Sequence, residues 1–163
     1  MPRRVVNFWE RLFSGYRYAN EELSQLLLRE ASGSSVQAVE DGLVVLPKIH
    51  YVSSCENHLL PFFGVARVGY LINRDQDPPG DVSKLVDVLS RRLQHQERLT
   101  EQICNLLDGR TEGAAVMLEG NYLCPLVQGR NDRKAIFETT AFAGKFKGST
   151  ELRDRFFTLA RQA

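Results

Sequence analysis

Apolar side chains recur at Val5, Val6, Trp9, Leu12 and Phe13, a helical spacing that predicts a first helix ending at Ser14-Gly15. A second helix is expected over residues 20–29, carrying Leu23, Leu26, Leu27 and Leu28. Residues 31–35 (ASGSS) form the most linker-like stretch of the chain. The pattern then changes. Residues 43–52 and 62–72 are rich in Val, Ile, Tyr and Phe, as strands are, and residues 73–80 (NRDQDPPG) read as a loop. Helical periodicity returns over 82–107 with a bend at 93–96. Strands are expected at 114–118 and 135–142, and a closing helix at 151–161. The order α-α-β-β-α-α-β-β-α predicts an α+β fold built on hairpins rather than on alternating βαβ units.

Composition narrows the reading. The 163 residues suit one compact domain, and 43% hydrophobic with 25% charged residues is ordinary for a globular chain. Lys plus Arg number 21 against 20 for Asp plus Glu, a balance that speaks against nucleic acid or an anionic membrane as the partner. No apolar run approaches the roughly 18 residues of a membrane span. Met1-Pro2-Arg3-Arg4 has no apolar segment behind it, so a cytoplasmic location is expected. Cys55, Cys104 and Cys124 are too few, and odd in number, for a disulfide framework.

Between the first two strands lies Cys55-Glu56-Asn57-His58, a thiol and an imidazole separated by two residues in a short connection. Zinc takes soft sulfur and imidazole nitrogen in a tetrahedron, and such a turn can aim both at one ion. Cys124, just before Pro125, is the third candidate, whereas Cys104 sits on an apolar helix face and reads as core. By itself the pair is a weak signal, because most cysteines near a histidine are plain core or surface.

Longer motifs make the pattern specific. Residues 55–64 (CENHLLPFFG) resemble the zinc loop of the GTP cyclohydrolase I family, C-E-H-H followed by the same LLPFFG run. Residues 94–103 (QHQERLTEQI) are similar to that family's Q-V-Q-E-R-L-T-x-Q-I, residues 82–85 to its L-S-K-L, and residues 13–20 to its F-x-G-x-x-Y segment. The resemblance covers essentially the whole chain. It implies a T-fold: an antiparallel four-stranded sheet with a helix pair packed on one face, plus N-terminal and C-terminal helices. One domain over 1–163 is expected, with an N-terminal helical segment at 1–30 and the T-fold core at 42–163. It also implies a toroidal homo-oligomer, pentamer or decamer, with active sites between subunits. Cys55, His58 and Cys124 would hold Zn2+, leaving a fourth position open. Gln96 and Glu97 would hold the heterocycle, since a carboxylate satisfies the two adjacent donors, N1–H and the 2-amino group, on guanine's edge. Ser83 and Lys84 fall in the phosphate-binding segment.

The departures from the family pattern fall where the chemistry sits. Asn57 replaces the third residue of C-E-H-H, and Tyr122 replaces a histidine two residues before the last cysteine. Asparagine transfers no proton, and a phenol ordinarily titrating near pH 10 does so poorly at neutrality. Asp87 and Gln128 stand at arginine positions, removing cationic forks for phosphate oxygens; Arg91 or Arg130 would have to compensate. His95, beside Gln96-Glu97, is a gain that would supply a proton donor or acceptor from another wall. The expected function is hydrolytic ring opening or closing on a guanine-, purine-analogue- or pterin-type small molecule without a triphosphate. A non-catalytic purine- or pterin-binding paralogue is the alternative, and hydrolytic deamination, with Glu56 as the carboxylate, is the chemical runner-up.

Overall fold

The computed structural model describes residues 2–28, 38–73, 75, 78–129 and 136–162. Helix α1 (Pro2–Leu12) runs into a 3-10 turn at Ser14–Arg17 and then α2 (Asn20–Leu26). Strand β1 (Ala38–Glu40) precedes β2 (Leu43–Cys55) and β3 (Pro61–Leu71), followed by α3 (Val82–Ser90), the two-residue β4 (Leu93–Gln94) and α4 (Gln96–Asp108). Strand β5 (Gly113–Tyr122), the short α5 (Leu123–Val127), β6 (Phe137–Phe142), the short α6 (Lys145–Gly148) and α7 (Thr150–Arg161) complete the chain. The expected linker at 31–35 lies outside the described residues.

The sheet runs β1-β2-β3-β5-β6 with every neighbour on that path antiparallel, while β4 pairs with β2 in parallel. The α+β class and T-fold architecture expected from the sequence are what the chain adopts. The strand count differs: four were expected, and β1 and β4 add two short ones. Both are too short to show a period, which is why pattern reading passes over them.

Alternation along β2 explains how both faces of the sheet are covered. Val44, Leu46 and Tyr51 point into a core shared with Leu85, Leu89, Leu99 and Ile103 of α3 and α4. Leu43 and Val45 point the other way, into a second core with Met117, Phe146, Phe156 and Ala160. Helices α3 and α4 thus cover one face, and α6 with α7 the other. The apolar residues of α1 are not used in this way: Val5, Val6 and Phe8 are all exposed. Among the described residues no helix is long and apolar enough to cross a membrane.

Candidate metal centre and its cavity

Strand β2 ends at Cys55 and β3 begins at Pro61, with Ser54 opposite Pro61. The connection is closed by two main-chain hydrogen bonds, Cys55 N–H to Leu60 O at 2.8 Å and Leu59 N–H to Cys55 O at 2.8 Å. Leu59 sits in the left-handed region at φ 55°, a conformation costing a non-glycine residue about 1 kcal/mol. The turn folds His58 back so that its Nδ1 lies 3.6 Å from Cys55 Sγ. Cys124 arrives from the neighbouring strand: β5 pairs with β3, Tyr122 lies opposite Phe62, and the chain then enters α5. The three ligand atoms of Cys55, His58 and Cys124 all lie within 4.8 Å of one another.

This donor set fits zinc. Zn–S of about 2.3 Å and Zn–N of about 2.0 Å at a tetrahedral angle give an S···N edge of about 3.5 Å, close to the 3.6 Å between Cys55 and His58. Both thiols are buried while His58 is exposed. Burial, reinforced by the adjacent Cys55, pushes the Cys124 thiol above its ordinary range. A cation there offsets that cost by favouring the thiolate.

The three residues line one wall of a cavity of about 420 Å³. Strand β4 delivers further lining residues. Leu93 and Gln94 pair with Ser54 and Cys55, so His95, Gln96 and Glu97 emerge beside the metal turn as α4 begins. Glu56 fastens the two together. Its N–H donates to Gln94 O at 3.2 Å, and its carboxylate binds Arg98 and accepts from His95 Nε2 at 2.8 Å. The Arg98 guanidinium, helped by His95, holds the Glu56 carboxyl below the usual carboxylate range. Glu56 is not among the cavity-lining residues; His95 is.

Gln96 and Glu97 part company. Gln96 is 1% exposed, and its Nε2 lies 2.8 Å from Phe137 O, 3.0 Å from Leu118 O and 3.1 Å from Thr139 Oγ1, while Tyr51 O–H donates to its Oε1 at 3.3 Å. Its amide joins α4 to β5 and β6. Glu97 is exposed toward the cavity, and among the described residues its carboxylate has no hydrogen-bond or ion-pair partner.

Tyr122 lines the cavity by its ring, which stacks on Phe62 at a centroid distance of 4.5 Å and 5° between planes. Its hydroxyl oxygen accepts the Gln96 N–H at 3.0 Å. Burial pushes the phenol up to about 12, opposed by the Gln96 hydrogen bond and reinforced by Glu97 and the two cysteines. Asn57 lines the cavity as well, and the Gln128 carboxamide stands 3.3 Å from His58 Nε2.

Lys84 lies elsewhere. With Ser83 it opens α3, and it lines a separate cavity of about 630 Å³ shared with Arg11, Arg17, Asp87 and Arg91. Asp87 is tied there to Arg91 at 2.8 Å and to Lys84 at 3.4 Å. Arg130 falls outside the described residues. Sequence reasoning missed Phe62, Arg98 and Phe137 as parts of the site. Arg98 stands in the quoted QERLT stretch, and Phe62 one residue into β3, so a strand register for β3 and β5 would have found the Phe62–Tyr122 stack.

Comparison with known proteins covers the same span. Residues 1–161 match the family model described as GTP cyclohydrolase I. The chain is 36% identical over 162 residues to GTP cyclohydrolase 1 of Helicobacter pylori (strain G27), covering 98% of this chain and 86% of that protein. It is 33% identical over 157 residues to GTP cyclohydrolase 1 of Wolinella succinogenes, covering 95% and 80%. Against the protein of that name from Campylobacter jejuni subsp. doylei it is 35% identical over 164 residues, covering 99% and 83%.

Proposed function

Because this chain belongs to the GTP cyclohydrolase I family, we propose that it is a zinc-dependent hydrolase acting on a C–N ring bond of a guanine-, purine-analogue- or pterin-type heterocycle that carries no triphosphate. The observation that carries this reading is the convergence of Cys55, His58 and Cys124 in a cavity that Glu97 also lines. Zinc held by Cys55, His58 and Cys124 would supply Lewis-acid activation of water near neutral pH. Glu97 accepts the two edge donors of the ring, a pairing worth about 1–3 kcal/mol for each buried donor otherwise left unmatched.

Proton movement falls to His95. It lines the cavity, and Glu56 fixes its ring orientation through Nε2. Imidazole is the side chain suited to moving protons near neutrality. Tyr122, with its hydroxyl engaged by Gln96 and its phenol held protonated, serves as a wall and an acceptor. Asp87 weakens the hold on a polyphosphate, because its carboxylate pairs with Lys84 and Arg91 and offsets one of their two charges. Deamination loses its carboxylate in this reading, since Glu56 is held by Arg98 and His95 outside the cavity lining. A homo-oligomer is part of the proposal. The exposed Val5, Val6 and Phe8 offer an apolar surface, and Ser83-Lys84 can serve the metal cavity only from a neighbouring subunit if they serve it at all.

The test is to incubate zinc-loaded protein with GTP, guanosine, guanine and simple pterins, following absorbance and product mass. Turnover of an unphosphorylated ring supports the reading; formate and a dihydroneopterin product from GTP overturn it. A second reading, a non-catalytic binder, is favoured by one feature: neither Asn57 nor the locked Tyr122 can transfer a proton at neutral pH. Saturable binding without turnover selects it.

A further inference from the structure

Helix α5 is one turn long, and it carries two residues to the metal centre. Cys124 is its second residue, and Gln128 its C-cap, four positions on. Residues spaced by four lie on the same side of a helix. The main chain reinforces the relationship, because Gln128 N–H donates to Cys124 O at 3.1 Å. The turn then stops: Gly129 N–H donates to Leu126 O at 3.1 Å and Gly129 takes φ 79°, in the left-handed region. Gln128 is thereby set about one turn beyond Cys124 on the same side of the helix, against the imidazole of His58.

His58 has two ring nitrogens with different neighbours. Nδ1 faces Cys55 Sγ at 3.6 Å, and Nε2 faces the amide nitrogen of Gln128 at 3.3 Å. A nitrogen that binds a metal cannot also carry the ring proton, so with Nδ1 turned to the ion the proton resides on Nε2 and needs an acceptor. Within reach stands the Gln128 carboxamide, and a half-turn about its terminal bond exchanges nitrogen for oxygen and sets an acceptor against Nε2. An arginine at this position would offer only donors.

We propose that Gln128 is a positioning residue for the metal, accepting the Nε2 proton of His58 and thereby fixing the ring rotation and tautomer that turn Nδ1 toward the ion. This rests on the zinc reading of Cys55, His58 and Cys124. Gln128 is accordingly committed to the ligand shell rather than to phosphate oxygens.

The experiment measures zinc affinity of the full chain by competition with a chromophoric chelator, for the wild type, Gln128→Leu and Gln128→Glu. It also records the visible spectrum of each protein with cobalt in place of zinc. Gln128→Leu keeps the size of the side chain and removes the acceptor; its zinc affinity should fall about 10–100-fold, with the cobalt bands shifted, as when a partner of a ligating histidine is lost. Gln128→Glu restores an acceptor and should recover the wild-type affinity and spectrum. A Leu variant that matches the wild type in both readouts, or a Glu variant no better than Leu, overturns the proposal. Should the wild type itself take up no zinc, the reading of the three ligands fails first, and that outcome is distinct from a tight site indifferent to position 128.

Discussion

The hydroxyl oxygen of Tyr122 accepts the main-chain N–H of Gln96 at 3.0 Å, joining the end of β5 to the first turn of α4. The first N–H groups of a helix have no partner within it, and here a phenol does what an N-cap side chain usually does. Tyr122→Phe retains the stack on Phe62 and leaves that N–H without its acceptor. It should destabilise the fold by about 1–2 kcal/mol, read from urea unfolding, while turnover changes less than about tenfold. A loss of a hundredfold or more in turnover at unchanged stability would show that the hydroxyl takes part in the reaction.

Gly120 makes room for the same junction. A Cβ at this position would lie 2.1 Å from Gln96 Oε1 and 2.6 Å from Tyr51 Oη, both inside the α4–sheet interface. Gly120→Ala must therefore displace an amide that several acceptors hold in place, and a cost of about 1–3 kcal/mol is expected. Thermal unfolding measures it. Ligand affinity should fall too, because Glu97 follows Gln96 on the displaced turn; an alanine variant with unchanged melting and binding would show that the interface yields freely.

The contrast between these neighbours marks where sequence reading succeeds. The grouping of Cys55, His58 and Cys124 is legible because a candidate metal site needs a fixed set of residue types and the turn at 55–58 is local. The helices and long strands were legible from period, as Leu85, Leu89, Leu99 and Ile103 illustrate. Gln96 lines the cavity, as a ring contact would, and its amide is also held by the carbonyls of Leu118 and Phe137 and the hydroxyl of Thr139, 22 to 43 residues away. No local period encodes such main-chain acceptors. The separation of Lys84 from the metal cavity is likewise a consequence of packing, and β1, reached through Asp41-Gly42, was a hairpin signal left unread.

Glu97 bears the recognition claim, and its surroundings make the test clean. It is exposed toward the cavity and has no hydrogen-bond partner among the described residues, so replacing it should leave the melting temperature unmoved. Glu97→Gln keeps its shape but puts a donor where the ring also presents donors. Affinity for guanine or guanosine, measured by titration calorimetry, should fall about 10–100-fold. Unchanged affinity would remove Glu97 from the binding reading.

Alkaline pH should weaken the fold in a defined window. Burial raises the Cys104 thiol to about 12 from 9.0, the Tyr122 phenol to about 12 from 10.0, and the Tyr51 phenol as well. A group whose proton is held more tightly in the folded state stabilises it fully below the unfolded-state value, and that contribution disappears as pH climbs through the folded one. Stability should thus fall from about pH 9 upward, with a limiting slope near 1.4 kcal/mol per pH unit for each such group. Zinc-loaded Cys104→Ala compared with zinc-loaded wild type isolates the earliest part of the decline. Parallel curves between pH 9 and 10 would contradict the Cys104 assignment.

Removing the metal should distinguish the cysteines by reactivity. Cys104 is 1% exposed, its thiol donates to Ala114 O at 3.6 Å, and burial keeps it protonated, so a thiolate-directed alkylating agent finds no nucleophile there at pH 8. Cys55 and Cys124 are also buried, at 4% and 6% exposure, but both line the cavity, where a bound ion would shield them and its removal would open them to reagent. In the zinc-loaded protein, iodoacetamide should label none of the three within minutes. After treatment with a strong chelator it should label Cys55 and Cys124, and in urea it should label Cys104 as well, with sites assigned by peptide mass. His58→Ala loosens the shield by removing one ligand, so its thiols should react at low chelator concentration. If chelation leaves the labelling of Cys55 and Cys124 unchanged, those sulfurs do not hold the ion.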